Sequence, residues 1–251
     1  MHIDLTGRTI LITGASSGLG RHFALIAARA GAKVAVAARR TDRLKALVDE
    51  IGPGAFAVEM DVEDEASVIA GYDAAEARLG PVDGAIANAG MNSPGMALDI
   101  AVEEFDRVMR VNLRGAFLTA REAARRMIKA GAKESGRGRI LIVSSLGARK
   151  ALPGLAAYCA SKAGVLMLAK GLAREWANRG INVNAICPGF IATELNDEFL
   201  ESEPGKKMIA GFPRRRTMRA DDLDATVLHL LSDASRGITG AAFDLDDGQG
   251  L

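Results

Sequence analysis

A tyrosine and a lysine four residues apart, Tyr158 and Lys162, form the pair best suited to moving a proton. On an α-helix this spacing places both side chains on one face. A tyrosine hydroxyl can donate a proton to a carbonyl oxygen during reduction, or accept one from an alcohol during oxidation. Free tyrosine has a pKa of about 10, so a base at neutral pH needs roughly 4 kcal/mol of added preference for phenolate. One ammonium at ~4 Å supplies about that much if the effective dielectric constant is ~20.

The position of this pair carries the prediction, because an isolated Tyr-x-x-x-Lys pair is usually two neighbours on a surface. The preceding apolar segment 139–145 reads as a buried strand that ends at Ser144 and Ser145. Open α/β proteins bind their ligands beyond the carboxyl ends of such strands. Either serine could donate a hydrogen bond to a substrate oxygen on which negative charge develops. We therefore expect carbonyl or alcohol chemistry at this strand end.

A glycine-rich turn near the start of the chain is suited to holding a phosphate-bearing ligand. Residues 13–20 read TGASSGLG and connect the first apolar run to a helical pattern. Glycines permit a tight turn, remove Cβ atoms that would keep a pyrophosphate away, and let the helix N-terminus face the anion. A glycine-rich surface turn is the alternative. The predicted dinucleotide contacts here are Gly14, Ser16, Ser17, Gly18, Leu19 and Gly20.

The end of the second apolar run indicates which dinucleotide binds. An acidic residue there would bind the ribose 2′-hydroxyl of NAD, but Arg39 and Arg40 follow Ala38 instead. Guanidinium groups suit a 2′-phosphate by charge and by their planar set of donors. Two solvated arginines at the start of a helix are the alternative. We predict NADP as the preferred cofactor, with NAD possible.

Seven short apolar runs alternate with amphipathic helical patterns along the chain. Several runs lack polar alternation, which is typical of strands covered on both faces of a parallel sheet. Alternation of strands and helices implies right-handed crossovers and a doubly wound α/β fold. The predicted strands are 8–13, 33–38, 55–60, 82–88, 139–145, 181–187 and 241–245, and the predicted helices are 18–30, 42–50, 64–79, 102–130, 156–179 and 221–232.

Composition narrows the class of protein. The formal net charge of +1 argues against a nucleic-acid or membrane-surface partner, and no apolar run is long enough to predict a membrane span. Cys159 and Cys187 provide no disulfide framework and the N-terminus lacks a signal-peptide pattern, so we expect a cytoplasmic protein. Three scattered histidines predict no metal site. We predict a single domain over 1–251, with the irregular segment 188–220 as a substrate loop.

Several motifs, in order along the chain, resemble those of the short-chain dehydrogenase/reductase family, and within it the 3-oxoacyl-[acyl-carrier-protein] reductases. TGASSGLG is similar to the family's cofactor loop, and Asn88-Ala89-Gly90 resembles its sheet-stabilising Asn-Ala-Gly. The resemblance implies a Rossmann-like doubly wound parallel sheet of about seven strands, with helices on both faces, in a homotetramer or homodimer. Further matching positions are Asn112, Ser145, Tyr158 and Lys162 in the catalytic tetrad, Asp61 and Val62 after the third strand, and Pro188, Gly189, Ile191 and Thr193 after the sixth.

The resemblance also assigns roles to the tetrad. Tyr158 is the acid/base, and Lys162 both lowers the pKa of that tyrosine and binds the nicotinamide ribose. Spacing to Tyr158 favours Ser145 over Ser144 as the hydrogen-bond donor to the substrate oxygen. Asn112 is expected to hold a water that relays protons to Lys162; a polar residue that merely interrupts its helix is the alternative.

Two other assignments concern the cofactor. Asp61 corresponds to the position that contacts adenine in the family. The Thr193 hydroxyl and the backbone of Ile191 are expected to meet the nicotinamide carboxamide, although Thr193 could instead cap the next helix.

An apolar substrate pocket is expected above the nicotinamide, drawn from the loop after Gly90, the segment 146–155 and the loop after Gly189. Two stretches depart from the family pattern. Arg214-Arg215-Arg216 either attracts an acidic substrate or is a solvated run of charge, and Asp246-Asp247-Gly248 replaces Asp-Gly-Gly. The candidate pocket residues are Met91, Met96, Leu146, Leu152, Leu155, Phe190, Leu195 and Phe199, each of which could also be ordinary packing.

These observations predict an NADP(H)-dependent oxidoreductase that transfers a hydride between nicotinamide and a ketone or secondary alcohol. Thioesters of 3-oxoacyl groups, sugars, polyols and hydrophobic ketones remain open as its small-molecule substrate. A sugar or polyol dehydrogenase that uses NAD is one alternative. A dinucleotide sensor without turnover is another, disfavoured because both Tyr158 and Lys162 are present.

Overall fold

The computed structural model describes residues 3–194 and 196–251. Seven strands pair in parallel within one sheet, in the order β3-β2-β1-β4-β5-β6-β7. The predicted doubly wound α/β fold is therefore confirmed. The strands are β1 Thr9–Thr13, β2 Lys33–Ala38, β3 Ala55–Glu59, β4 Gly84–Ala87, β5 Gly138–Val143, β6 Ile181–Pro188 and β7 Ala242–Leu245.

The central strands are buried because their side chains alternate between two apolar cores, one on each face of the sheet. In β1, Leu11 packs in one core, while Ile10 and Ile12 pack in the other. The parallel register extends these layers, since Ile10 lies beside Val34 and Leu11 beside Ala35 of β2. A strand covered on both faces has no solvent side, which explains why its sequence shows no polar alternation.

Ten α-helices connect the strands in the described part of the chain, and helices lie on both faces of the sheet. They are α1 Gly18–Arg29, α2 Thr41–Ile51, α3 Glu65–Leu79, α4 Val102–Met109, α5 Gly115–Lys129, α6 Ala132–Ser135, α7 Ala156–Trp176, α8 Asp197–Glu201, α9 Glu203–Ala210 and α10 Asp224–Leu231.

Two stretches differ from the predicted helices. The pattern 102–130 is broken by a π-helical turn at Arg110–Arg114, which joins α4 to α5. The segment 188–220, expected to be irregular, contains α8 and α9. Pro204 marked this segment as a loop, but it stands in the first turn of α9, where a missing N–H group costs nothing.

The order of the strands positions the functional site. The chain builds β1, β2 and β3 outward in one direction and then returns to pair β4 with the other side of β1. At such a reversal, the connections leave in opposite directions and open a crevice beyond the carboxyl ends of the strands. We call this side the carboxyl edge and the opposite side the amino edge.

The amino edge carries a cluster of ion pairs around two buried arginines. The buried Arg8 side chain contacts the carboxylates of Asp83 and Asp233. Arg139, also buried, lies 3.8 Å from Asp233 and donates to three backbone carbonyls at 2.8–3.1 Å. Burial raises the pKa of the Asp83 carboxyl, an effect that the neighbouring Arg8 opposes. Cations and carboxylates here satisfy one another.

Three further features bear on the class of protein. Cys159 and Cys187 are both unpaired. Across residues 3–194 and 196–251, no helix has the length and apolar character needed to cross a membrane. The same residues contain no group of three or more histidine, cysteine or acidic side chains arranged to hold a metal ion.

Candidate active site

A cleft of about 480 Å³ opens at the carboxyl edge. Nearly all of the predicted site residues line it, although they come from every part of the chain. Gly20 and Asn112 are the exceptions, and both lie behind the lining. The predicted residues that line the cleft are Gly14, Ser16, Ser17, Gly18, Leu19, Arg39, Arg40, Asp61, Val62, Asn88, Ala89, Gly90, Ser145, Tyr158, Lys162, Pro188, Gly189, Ile191 and Thr193.

The glycine turn needs its glycines for close packing as well as for access to the cleft. Gly14 has φ +69°, and a Cβ atom there would lie 2.9 Å from Asn88 Nδ2. A Cβ atom on Gly20 would lie 2.3 Å from the carbonyl oxygen of Gly14, so this residue allows α1 to approach the turn. Ser17 occupies the N-cap position of α1 but makes no capping hydrogen bond. The first N–H groups of α1 therefore remain available for an anion in the cleft.

The Asn88-Ala89 segment ties the ends of β4 and β1 together. The Thr13 hydroxyl accepts hydrogen bonds from the backbone N–H groups of Asn88 (3.1 Å) and Ala89 (3.2 Å). The Asn88 side chain in turn donates to the Thr13 carbonyl at 3.0 Å. These bonds fix the floor of the cleft between the glycine turn and Gly90.

The two arginines after β2 point in different directions. Arg40 donates from Nε to Ser16 Oγ (3.1 Å) and from Nη2 to Ser17 Oγ (2.7 Å), so its guanidinium lies against the glycine turn. Arg39 lies 3.8 Å from Asp61. Both arginines line the cleft, as predicted, but Arg40 makes the closer contact with the turn.

Two charged residues near these arginines, Arg43 and Glu194, were not predicted from the sequence. Arg43, one turn further along α2, contacts Glu194 at 2.5 Å, and Arg40 contacts the same carboxylate at 3.2 Å. The spacing of Arg40 and Arg43 along one helix could have indicated a shared face. Nothing in the sequence indicated that Glu194 would reach them from the segment after β6.

Tyr158 and Lys162 lie on the first two turns of α7, and both line the cleft. Lys162 Nζ lies 5.8 Å from the centre of the Tyr158 ring and donates to the carbonyl of Val143 at 2.9 Å. Burial lowers the pKa of Lys162 to about 8.

Burial, and not attraction by lysine, is the dominant effect on the pKa of Tyr158. Burial raises the pKa of Tyr158, and a hydrogen bond with Ser145 opposes that rise. The sequence argument counted the attraction of an ammonium but omitted the cost of removing phenolate from water. Tyr158 is thus protonated at neutral pH, as a proton donor to a carbonyl must be.

The structure distinguishes the two serines at the end of β5. Ser144 is buried, and its hydroxyl donates to the carbonyl of Lys162 at 2.8 Å, which ties β5 to α7. Ser145 is half-buried, and its Oγ accepts from the N–H of Gly147 at 3.0 Å. That bond leaves the hydroxyl proton of Ser145 free to be donated beside Tyr158.

Asn112 lies in the π-helical turn and is fully hydrogen-bonded. Its Oδ1 accepts from Met91 N (2.8 Å), while Nδ2 donates to Met91 O (2.9 Å) and Ser161 Oγ (3.0 Å). A Cβ atom on Gly90 would lie 3.4 Å from both Asn112 Oδ1 and Lys162 Nζ. Asn112 thus interrupts its helix and also borders the space beside Lys162, while its predicted role in holding a water stays a prediction.

The segment after β6 is held from two sides. Phe190 N donates to Oε1 of the buried Gln249 at 2.6 Å, so the C-terminal segment supports Pro188 and Gly189. The Thr193 hydroxyl donates to the Asn196 side chain at 3.2 Å. Asn196, and not Thr193, occupies the N-cap position of α8.

The predicted apolar pocket is only partly realised. Of its candidates within the described residues, Met91 alone lines the cleft. Leu146 is buried in packing, while Met96 and Phe199 are exposed. Leu195 lies outside the described residues.

The two departures from the family pattern contact each other. Arg214 and Arg216 both form ion pairs with Asp247, at 2.9 and 3.0 Å. The Asp247 carboxylate is 13% exposed, and the residue has φ 55°, a left-handed conformation that glycine adopts readily. Arg214 and Arg216 thus share one counter-ion, yet their side chains are 67% and 49% exposed, and none of the three arginines lines the cleft. Attraction of an acidic substrate by this run stays a prediction.

The chain is similar to known proteins over nearly its whole length. A family model described as Enoyl-(Acyl carrier protein) reductase matches residues 14–249. D-threitol dehydrogenase from Mycolicibacterium smegmatis is 34% identical over 247 residues, which cover 97% of this chain and 93% of that protein.

Solved structures match over the same extent. The 3-ketoacyl-(acyl-carrier-protein) reductase from Brucella melitensis, complexed with NADH, is 36% identical with a TM-score of 0.90, covering 99% of this chain and 100% of that one. The gluconate 5-dehydrogenase from Burkholderia cenocepacia, in complex with NADP and tartrate, is 32% identical with a TM-score of 0.91, covering 99% and 97%. The chain therefore belongs to the short-chain dehydrogenase/reductase family of enzymes that act on CH–OH and C=O groups.

Proposed function

We propose that this protein is an NADP(H)-dependent oxidoreductase that interconverts a ketone and a secondary alcohol, with Tyr158 as its acid/base. The observation that carries the proposal is the convergence of Ser145, Tyr158 and Lys162 on the cleft that also contains the glycine turn. A hydroxyl donor, a half-buried phenol and a buried amine beside a cleft that also contains a glycine turn are the groups that this reaction requires.

The nicotinamide, when bound, supplies or accepts the hydride. The protein's own residues then manage the oxygen of the substrate. Ser145 donates a hydrogen bond to that oxygen, and Tyr158 gives it a proton as the carbonyl is reduced. Lys162, with a pKa lowered to about 8 by burial, holds a proton close to the tyrosine ring. Reduction is the direction to which a protonated Tyr158 is suited.

The glycine turn and the two arginines support the choice of cofactor. Gly14 and Gly20 leave no room for side chains where the turn meets α1, so the backbone itself faces the cleft. Arg40 presents a guanidinium beside Ser16 and Ser17, and no acidic residue stands at the end of β2. This arrangement favours a 2′-phosphate. Since relatives have been solved with NADH and with NADP, we propose a preference and not exclusive use.

The substrate class is proposed more broadly. A 3-oxoacyl thioester fits the likeness to the acyl-carrier-protein reductase, whereas a sugar or polyol fits the likeness to the threitol and gluconate dehydrogenases. The second class is kept as an alternative because, of the candidates for an apolar substrate pocket within the described residues, Met91 alone lines the cleft. We further propose a cytoplasmic homotetramer or homodimer without nucleic-acid or membrane partners, in keeping with unpaired cysteines and near-zero net charge.

The experiment is a panel of carbonyls and alcohols assayed with NADPH and with NADH, on the wild type and on Tyr158→Phe. We expect turnover with NADPH, and a loss of about 10³-fold in kcat for Tyr158→Phe because the proton donor is removed. Tyr72→Phe is the matched control. Tyr72 is buried on α3 and donates to the Thr119 carbonyl at 3.0 Å, far from the cleft lining. Its loss should cost about 1 kcal/mol of stability and leave kcat unchanged.

Three outcomes would contradict the proposal. Binding of NADPH without turnover of any substrate, together with an unaltered Tyr158→Phe variant, would favour a dinucleotide sensor. Equal use of both cofactors would remove the preference for NADP. Equal losses of kcat in the Tyr72 and Tyr158 variants would indicate a structural role for both tyrosines.

A further inference from the structure

In the lining of the cleft, the carboxylate of Glu194 lies between the guanidinium groups of Arg40 and Arg43. Glu194 Oε2 lies 3.2 Å from Arg40 Nη1, and Glu194 Oε1 lies 2.5 Å from Arg43 Nη1. The same Arg40 guanidinium contacts Ser16 and Ser17 through its other two nitrogens. Every nitrogen of Arg40 therefore has a partner, and one of the three is an anion supplied by the protein itself.

The two sides of this bridge belong to separate parts of the fold. Arg40 and Arg43 lie at the start of α2, after β2, whereas Glu194 follows β6. Arg40, Ser16 and Glu194 all line the cleft, so the carboxylate stands at the cofactor site and not on a remote surface. An anionic group of a ligand that approached the Arg40 guanidinium would find one of its nitrogens already bound to Glu194.

The carboxylate stays charged yet is held weakly enough to be displaced. Hydrogen bonds from Arg43 and Arg40 lower the pKa of Glu194. Its side chain is 54% exposed, and exposed ion pairs contribute little to stability. A phosphate monoester carries more charge and more acceptor oxygens than a carboxylate, so it is the stronger partner for a pair of guanidinium groups.

We propose that Glu194 competes with the 2′-phosphate of NADP(H) for Arg40 and Arg43, and so sets how strongly the site selects a 2′-phosphorylated dinucleotide. The inference rests on the proposed NADP(H) function. NAD(H) has no 2′-phosphate and leaves the bridge intact, whereas NADP(H) must displace Glu194. Glu194 thus reduces the preference for NADP(H) over NAD(H) that the two arginines would otherwise give.

The test measures binding of two cofactor fragments, so it needs no turnover. Adenosine 2′,5′-bisphosphate and adenosine 5′-monophosphate are titrated calorimetrically into the wild type and into Glu194→Gln at fixed ionic strength. Removal of the competing charge should tighten binding of the bisphosphate about fivefold, a change of the size expected for an exposed ion pair. Binding of the monophosphate should stay unchanged, and the gain should shrink at high salt.

Glu198→Gln is the matched control, because Glu198 is exposed on the adjoining helix α8 and forms no ion pair within the described residues. It should bind both fragments as the wild type does. Glu194→Ala, checked by circular dichroism, should reproduce the gain and excludes an effect particular to glutamine.

The results separate this inference from the proposed function. If the wild type prefers the bisphosphate but Glu194→Gln leaves that preference unchanged or lowers it, Glu194 does not compete and the inference fails while the cofactor assignment stands. A gain of equal size in Glu198→Gln would also overturn it, since net charge alone would explain the result. If neither the wild type nor Glu194→Gln distinguishes the two fragments, the assignment of NADP fails together with the competition.

Discussion

Both edges of the sheet bury cationic side chains, but they satisfy them in different ways. At the amino edge, Arg8 is 2% exposed and contacts the carboxylates of Asp83 and Asp233. At the carboxyl edge, Lys162 is also buried but donates to a backbone carbonyl, and no ion pair reaches it within residues 3–194 and 196–251. A buried cation with carboxylate partners keeps its charge and holds elements together. A buried cation without them has a lowered pKa and therefore loses its proton at a lower pH.

The same difference extends to the neutral polar groups. The Ser144 hydroxyl donates to the Lys162 carbonyl, whereas the hydroxyl of the adjacent Ser145 accepts from Gly147 N and faces Tyr158 in the cleft. Of these two serines, the one bonded to α7 has no hydroxyl proton left for a ligand, and the one beside Tyr158 keeps that capacity. We infer that polar residues at the amino edge mainly stabilise the fold, whereas those lining the cleft mainly serve the reaction. Variants at the two edges test this difference.

The largest expected effect is the loss of kcat in Ser145→Ala, for which Ser144→Ala is the matched comparison. Loss of the hydrogen-bond donor to the substrate oxygen should lower kcat by about 10²- to 10³-fold in Ser145→Ala. Ser144→Ala should lower the free energy of unfolding by about 1 kcal/mol through loss of the bond to α7. Steady-state kinetics and urea unfolding of both variants measure the contrast. A larger loss of kcat in Ser144→Ala would reverse the assignment of the two serines.

At the amino edge, Arg8→Met should affect stability and not catalysis. Removing the cation leaves the half-buried Asp83 with the more distant Arg137, at 3.7 Å, and the backbone N–H of Thr9, at 3.0 Å, and we expect a loss of about 3 kcal/mol in the free energy of unfolding. The value of kcat, measured below the unfolding temperature, should be unchanged. Arg179→Met is the control, since Arg179 is exposed and makes no ion pair in the described part of the chain. Equal stability of the two variants would show that the cluster contributes nothing.

The smallest expected effect is a dependence of stability on pH that arises from Lys162. Its pKa is about 8 in the folded protein, below the ordinary value of 10.5. Between these values the unfolded chain binds a proton that the folded protein does not, so the free energy of unfolding rises with pH. Lys162→Met should remove this rise. The stability of the variant relative to the wild type should therefore fall by about 2 kcal/mol from pH 8 to pH 10.

Urea unfolding of both proteins across this range measures the difference, in which the titrations of all other groups cancel. A constant difference from pH 8 to pH 10 would mean that Lys162 keeps its ordinary pKa, and the contrast between the two edges would disappear.

The fold was largely predictable because the central strands are buried on both faces and their apolar runs are unambiguous. The π-helical turn was not, because the sequence 102–130 is helical throughout and the extra residue depends on contacts from elsewhere. Asn112 bonds the backbone of Met91 and the side chain of Ser161, which are distant in sequence. The helices α8 and α9 were missed because Pro204 and Gly205 resemble loop residues but begin a helix.

The site was predictable where residue types follow strand ends, as for Ser145 and the glycine turn. It was not predictable where loops meet in space. Glu194 and Gln249 enter the site through contacts with Arg40 and Phe190, which no local pattern encodes. The rise in the pKa of Tyr158 was not predictable for a related reason, since the extent of burial is a property of the folded protein and not of the Tyr-x-x-x-Lys spacing.

Asp247 has a consequence for how this sequence can vary. It adopts a backbone conformation that suits glycine, and it receives both Arg214 and Arg216. Reverting the aspartate alone would leave two arginines facing each other without a counter-ion, and reverting the arginines alone would leave a half-enclosed carboxylate unpaired. The C-terminal turn and the arginine run therefore depend on each other for charge balance, and a chimaera that exchanges this tail with that of another family member must carry the arginines along with it.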